Sequence, residues 1–250
     1  MAILIKNDQE IELMRHAGKI VALTRQLLEE KIKAGMTTAE LDQIAENFIR
    51  SQDAIPSFKG YNGYPASICV SINSEVVHGI PNKQRKIMEG DIVSIDIGAI
   101  YKGYHGDAAR THAIGRISDE AKHLIKITKE SFYEGIKMAK AGNHLHQICE
   151  AIQKYVESNG CSVVRDLVGH GIGKDMHEEP QIPNYKPIGR GPKLQKGMVL
   201  AIEPMVNAGQ YEVRVLEDDW TVVTLDKSLS AHYENTVLIT ENGYELLTIV

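Results

Sequence analysis

The chain has 250 residues, 43% of them hydrophobic and 24% charged, with 28 basic side chains against 33 acidic ones and a net charge of -5. That length can bury a full core as one large domain or two small ones, and the composition is ordinary for a soluble globular enzyme. The acidic balance supplies no electrostatic footprint for nucleic acid or an acidic membrane, no apolar stretch approaches the roughly 20 residues of a membrane span, and MAILIKNDQE turns polar too soon for a secretory signal. Cys69, Cys149 and Cys161, odd in number and without CxxC spacing, point to a reducing compartment, so the expected location is the cytoplasm.

In chain order, residues 7 to 33 carry Ile11, Met14, Ala17, Val21, Thr24 and Leu28 at three- and four-residue spacing, with Asn7 or Asp8 available as the N-cap. This predicts a long amphipathic helix, ended by Lys33-Ala34-Gly35 with Gly35 at the left-handed C-cap position. Thr37 and Glu40 have capping-box spacing ahead of a second helix with Leu41, Ile44, Ala45, Phe48 and Ile49 on one face. The stretch GDIVSIDIGAIYKGYHGD, Gly90 to Asp107, begins as an apolar, β-branched run with Asp96 inside it and reaches Asp107 after a turn of Gly and Lys. A hairpin there can bring both carboxylates to one place. Burying an unpaired carboxylate costs several kcal/mol, so Asp96 needs a strong partner unless the hairpin carries merely one edge acid and one turn acid.

The same pattern is written twice. Ser118 can cap a helix running to Lys140-Ala141-Gly142, and a second helix follows with Ile148, Ala151, Ile152, Tyr155 and Val156 on its face, closed by Gly160. Each of those five lies 107 residues beyond its counterpart, as do Gly197 beyond Gly90 and Glu203 beyond Asp96. This predicts an internal duplication, with halves of about 1–107 and 112–250 in a single domain, 1–250. Equivalent strands of two such halves meet at a pseudo-twofold axis, making Asp96 and Glu203 neighbours that share a proton or bind a cation. The expected fold class is α+β, with helices covering one face of a mostly antiparallel sheet.

VGHGIGKDMHEEP, from Val168 to Pro180, adds His170 and His177 among glycines, without the spacing of a phosphate loop or of an HExxH helix. Glu234 begins the strand-like run ENTVLIT and follows Glu203 as Asp107 follows Asp96, over a longer connection. Asp96, Asp107, Glu203 and Glu234 with at least one imidazole suit divalent first-row metals. They exceed what one four-coordinate zinc uses, so a dinuclear site accounts for the count; unrelated surface acids are the competing reading. His78, in VVHGIP, reads on its own as a turn residue, and His144 with His146 as a helix start, since positions i and i+2 do not face each other. His105 and His232, each two residues before an acid, read as supporting or packing residues. Tyr61, Tyr64, Cys69 and Trp220 form either apolar packing or the wall of a small hydrophobic pocket.

GYNGYPASICVSINSEVVHGIP, GDIVSIDIGAIYKGYHGD, GHGIGKDMHEEP, GMVLAIEPM and HYENTVLIT together resemble the type I methionine aminopeptidases, over essentially the whole chain. The resemblance implies the pita-bread fold, two pseudo-twofold halves around a two-metal centre. By it the ligands are Asp96, Asp107, His170, Glu203 and Glu234, with Asp107 and Glu234 bridging. Glu203 is then the general base, His177 meets the carbonyl oxygen, and His78 the amide nitrogen on the leaving side. Tyr61, Tyr64, Cys69, His78 and Trp220 would line a methionine pocket flanked by Phe58 and Met176. The implied cofactors are two divalent ions (Co, Mn, Fe or Zn) and a monovalent cation on backbone oxygens near Asn73, Glu75 and Ser230. The implied substrates are N-termini of nascent polypeptides near the ribosome exit, losing methionine when the second residue is small. No exposed apolar stripe stands out, so a monomer is expected. An X-Pro peptidase or creatinase-like enzyme and a non-catalytic binding module are the other readings this fold allows.

Overall fold

The structure is a computed structural model and describes residues 2–250. Helix α1 (Asp8–Lys31) begins where the Asn7 side chain accepts the Glu10 N–H and the Glu10 carboxylate accepts the Asn7 N–H, a capping box that satisfies two otherwise orphaned donors. Its buried face contains Ile11, Met14, Ala17, Val21, Thr24 and Leu28, the stripe expected from the spacing. The helix stops at Lys31, with Ile32 as an extended C-cap; Gly35 lies in the turn beyond, its N–H donating to the Ile87 carbonyl, so the C-cap expectation is corrected. Helix α2 (Thr38–Ser51) starts at the Thr37 capping box. Helix α3 (Asp119–Ile136) is capped by Ser118, and α4 (Leu145–Ser158) by His144, whose N–H donates to Gln147 Oε1 at 2.8 Å.

The repeat recurs in hydrogen bonds as well as in residue types. Helix α2 returns as α4, the two-residue strand Ile55–Pro56 as Ser162–Val163, and the bridge between Thr37 and Lys86 as that between His144 and Lys193, each 107 residues on. Every strand pairing among the described residues is antiparallel. In one half the strand Ile92–Tyr101 lies between Ile68–Ile72 and Tyr104–Ala113. Lys102 and Gly103 close the hairpin of Ile92–Tyr101 and Tyr104–Ala113, both at positive φ, as a two-residue turn of the I′ kind requires. In the other half a five-stranded sheet runs in the order Tyr244–Leu246, Asn235–Ile239, Val199–Ile202, Val168–Gly171, Glu178–Pro183.

Helices α1 and α2 contribute Val21, Leu28, Leu41 and Ile49 to one core with Ile68, Ile95 and Ile97. Helices α3 and α4 contribute Leu124, Phe132, Ile148 and Ile152 to another with Leu200 and Ile202. Each such side chain gains about 1.5–3 kcal/mol from burial, so the two cores hold the sheets in place and leave their junction to polar groups. There the Thr236 hydroxyl accepts the Asp107 N–H and donates to the Asp107 carbonyl, both at 2.9 Å. Nearby, Arg110 donates to the carbonyls of Ala109 and Glu234 and to Asn235 Oδ1, its guanidinium stacked 3.8 Å above the Tyr233 ring.

The halves differ in the spacing of their second acids. Asp107 and Glu234 are 127 residues apart, not 107. The additional chain between Glu203 and Glu234 includes the hairpin of Val213–Val215 and Val222–Thr224, and the latter pairs across to Glu75–Val77 in the first half. Among the described residues no helix is long and apolar enough to cross a membrane.

Candidate functional site

Asp107 pairs with Gly98 across the hairpin and Asp96 with Ala109, so the two acids stand two residues apart on one face of the sheet. On the facing sheet His170 pairs with Ala201, Glu203 follows directly on the Val199–Ile202 strand, and Glu234 directly precedes Asn235, the partner of Ile202. The strand ends of both halves therefore deliver all five side chains to one cavity. Asp107, His170 and Glu234 are buried and offer donor atoms within 4.8 Å of one another. His170 Nε2 lies 3.6 Å from Glu203 Oε1. His232 Nε2 lies 3.7 Å from Glu203 and 3.9 Å from Glu234.

This concentration of acids away from water is electrostatically costly. Burial, eased by the Asp107 carboxyl and the Ile97 N–H, pushes Asp96 up to about 7. Burial and then the charges of Glu234 and Asp96 raise Asp107; burial and then Asp96 and Asp107 raise Glu203; burial and then Glu203 and Asp96 raise Glu234. Burial, with His177 beside it, pulls His170 down to about 3, which keeps its ring neutral and its nitrogen lone pair free. Asp96 Oδ1, Asp107 Oδ1, Glu234 Oε1 and His232 Nε2 have no hydrogen-bond partner. Orphaned buried carboxylate oxygens that converge with a neutral imidazole are a donor set for divalent cations, and the residues fit such an ion.

The acids form the floor of a cavity of about 300 Å³. Its apolar wall is Phe58, Tyr64, Cys69 and Met176, all buried, with Tyr61 and Trp220 packed against them. Tyr64 donates to the carbonyls of Ile68 and Gly79, and its ring meets Trp220 edge-on at 5.0 Å, so the wall is braced by hydrogen bonds and ring contacts. Gly98 explains how Phe58 reaches the site: a Cβ there would come within 2.7 Å of Phe58 Cε1. His78 holds a left-handed backbone (φ 61) at the rim, and burial with the neighbouring His177 lowers it to about 4. The His177 ring sits 4.3 Å from that of His170, and its Nδ1 is 2.7 Å from the Tyr61 hydroxyl.

The structure thus gathers Asp96, Asp107, His170, Glu203, Glu234, His78, His177, Tyr61, Tyr64, Cys69, Trp220, Phe58 and Met176 around one cavity. His105, at the same spacing from Asp107 as His232 from Glu234, bonds Ser57 Oγ at 2.9 Å instead of facing a carboxylate of the site. Ser230 donates its N–H to the Asn73 carbonyl at 2.8 Å, so those two backbones meet, with Glu75 two residues on. Sequence reasoning missed Asp166, Leu167 and Met205 in the lining, and missed the supports Thr236 and Arg110. A hydroxyl inside the apolar run ENTVLIT was the available signal for Thr236; nothing in the pattern distinguishes Asp166.

Residues 12–241 match metallopeptidase family M24. Over 247 residues the chain is 64% identical to the methionine aminopeptidase of Clostridium acetobutylicum, covering 99% of both chains. It is 57% identical to methionine aminopeptidase 1 of Bacillus subtilis, covering 99% of this chain and all of the other. The fold is similar to the crystal structure of methionine aminopeptidase from Thermotoga maritima, with a TM-score of 0.98 and 48% identity over the whole of both chains. It is also similar to prolidase from Pyrococcus furiosus, with a TM-score of 0.77 and 27% identity over 98% of this chain and 65% of that one.

Proposed function

The chain belongs to metallopeptidase family M24 and has its pita-bread fold, and from that premise we infer that it removes the N-terminal methionine from proteins whose second residue is small. One observation carries this reading. A floor of four buried carboxylates and His170 lies directly beneath an apolar wall, in a cavity of about 300 Å³, so a side chain held by the wall brings its own peptide bond to the acids. Asp96, Asp107, His170, Glu203 and Glu234 would hold two divalent ions drawn from Co, Mn, Fe or Zn. When bound, such ions neutralise the gathered acids, polarise the scissile carbonyl and make a water acidic enough to attack at neutral pH.

The chain's own residues do the rest. Glu203, a carboxylate kept basic by burial and by Asp96 and Asp107, takes the proton of the attacking water and delivers it to the departing amine. Burial lowers His177, so its ring is neutral with one N–H; a Tyr61 hydroxyl donating to Nδ1 leaves that proton on Nε2. From there it meets the carbonyl oxygen as negative charge develops. His78, neutral for the same reason, contacts the amide nitrogen on the leaving side. The wall of Phe58, Tyr64, Cys69, Met176 and Trp220 takes the unbranched thioether side chain and keeps water from the reacting bond.

The same reading makes nascent polypeptides near the ribosome exit the substrates and the cytoplasm the location, with the protein acting as a single-domain monomer. It includes a monovalent cation on backbone oxygens near Asn73, Glu75 and Ser230. The likeness to a prolidase supplies a second reading, cleavage before proline. Metal-loaded protein is expected to release free methionine from Met-Ala and Met-Gly peptides and to leave Ala-Pro peptides intact. Absence of metal-dependent methionine release by folded protein would sink the first reading, and cleavage of Ala-Pro instead would establish the second.

A further inference from the structure

A second cleft, of about 620 Å³, opens between α1 and α3. Its walls carry Arg25 from α1, Lys129 and Tyr133 from α3, and Arg110 and His112 from the Tyr104–Ala113 strand. Among the described lining side chains the one acid is Glu29, 3.9 Å from an Arg25 Nη and therefore a weak counter-charge; the exposed Val250 also lines the cleft and brings a main-chain carboxylate to its rim. Two polar atoms buried here lack any partner, Arg25 Nε and His112 Nε2. Leaving such groups unsatisfied costs about 1–3 kcal/mol each, more when the group is charged.

The rest of the cleft is already held in place. Arg110 is fixed along one edge by the carbonyls of Ala109 and Glu234 and by Asn235, and its plane is stacked on Tyr233. A guanidinium so anchored has little freedom left to lose on binding. The imidazole of His112 is held down to about 4 by burial and then by the charges of Arg25 and Arg110. Water would satisfy the hydrogen bonds but would only weakly offset the positive charge that Arg25, Arg110 and Lys129 bring to the cleft, part of which Glu29 and Glu234 already meet. An oxyanion does both, through charge-assisted bonds.

We propose that this cleft binds a small oxyanion, phosphate or carboxylate, between Arg25, Arg110 and His112. It is a site separate from the peptide pocket but shares a wall with it. Arg110 donates to the Glu234 carbonyl, and His232, which faces Glu203 and Glu234, also lines the cleft. The ligand is recognised by its charge and its acceptor oxygens, so a free inorganic ion and the carboxylate of a small organic acid are the two sources to separate.

The test uses metal-loaded protein at constant ionic strength set with chloride. Inorganic phosphate and acetate are titrated separately, with heat of binding and the His112 ring nitrogen resonances as the two readouts, neither of which requires turnover. Saturable binding that moves the His112 signals, and that weakens at least about tenfold in Arg25→Gln, is the expected result. The exposed Lys129→Gln provides the same comparison, with a smaller loss, if Arg25→Gln does not fold. A response to phosphate alone assigns a tetrahedral ion, and a response to acetate alone assigns a carboxylate. Binding that leaves His112 unmoved and disappears in Asp107→Asn belongs to the metal centre and overturns the proposal, as does the absence of saturable binding by either anion.

Discussion

Replacing Thr236 by valine keeps a β-branched side chain on the Asn235–Ile239 strand and deletes only the hydroxyl that clasps Asp107. That hydroxyl makes two bonds of 2.9 Å, one to the Asp107 N–H and one to its carbonyl. Asp107 is 5% exposed and Thr236 not at all, so bulk water cannot take over either bond. A buried polar group left without a partner costs about 1–3 kcal/mol, which puts Thr236→Val at about 2–6 kcal/mol for the two groups. A protein of typical stability has about 5–15 kcal/mol in all, so the loss is large. Because Asp107 also presents its carboxylate to the site, metal affinity is expected to fall about tenfold or more, as for other residues that orient ligands. Urea unfolding of metal-loaded protein measures the first quantity and metal titration under a competing chelator the second. Thr236→Ser retains the hydroxyl and removes a methyl group, so it should cost only about 1 kcal/mol and keep the metal affinity. A Thr236→Val protein within about 0.5 kcal/mol of wild type, binding metal normally, would refute the role given to this clasp.

Asp107→Asn is expected to change sign with the metal: in chelator-treated protein it stabilises by about 1–2 kcal/mol, since it removes one of four mutually repelling buried acids, whereas metal-loaded variant protein is less stable than wild type and loses methionine release. Parallel denaturation of both forms checks it, and a destabilised metal-free variant would count against the reasoning. His112 titrates near 6.5 when unfolded but only at about 4 when folded, so the unfolded state binds the extra proton between those values. Stability is then lost as pH falls from 6.5 to 4, by about 3 kcal/mol, and His112→Gln in phosphate-free chloride buffer should flatten the pH profile by that amount; matching slopes would contradict it. Gly98→Ala pushes a methyl group against Phe58 and Ser57, and overpacking of about 1–3 kcal/mol should raise KM for Met-Ala peptides about tenfold while metal content is unchanged. An unchanged KM would mean that Phe58 yields without narrowing the pocket.

Starts of helices were legible because a cap is a local event: Asn7, Thr37 and Ser118 each bond an N–H three residues on. The hairpin of Asp96 and Asp107 was legible for the same reason, its register being set by a two-residue turn. Helix ends were not, since α1 stops at Lys31 where the following turn bonds across to Ile87. His105 and His232 show the limit most clearly. Each precedes an acid by two residues, which fixes the face of the strand but not what stands opposite: Ser57 in one case and the carboxylates of Glu203 and Glu234 in the other. The cleft of Arg25, Arg110, His112 and Lys129 joins positions far apart in the chain with no motif among them, and only the fold, which sets α1 and α3 on its two sides, brings it into being.

The unequal length of the two repeats has one further consequence. An enclosure made solely of two matched copies would look alike from either side of its axis, and a peptide could lie in it running forwards or backwards with equal ease. The twenty residues that lengthen only the second copy lay Val222–Thr224 against Glu75–Val77 and bring Trp220 over Tyr64 and His78. This addition puts Trp220 into the lining of the cavity, and the first copy has no matching segment. Asymmetric growth thus gives a duplicated frame one distinguished side, the side on which Trp220 meets Tyr64 and His78.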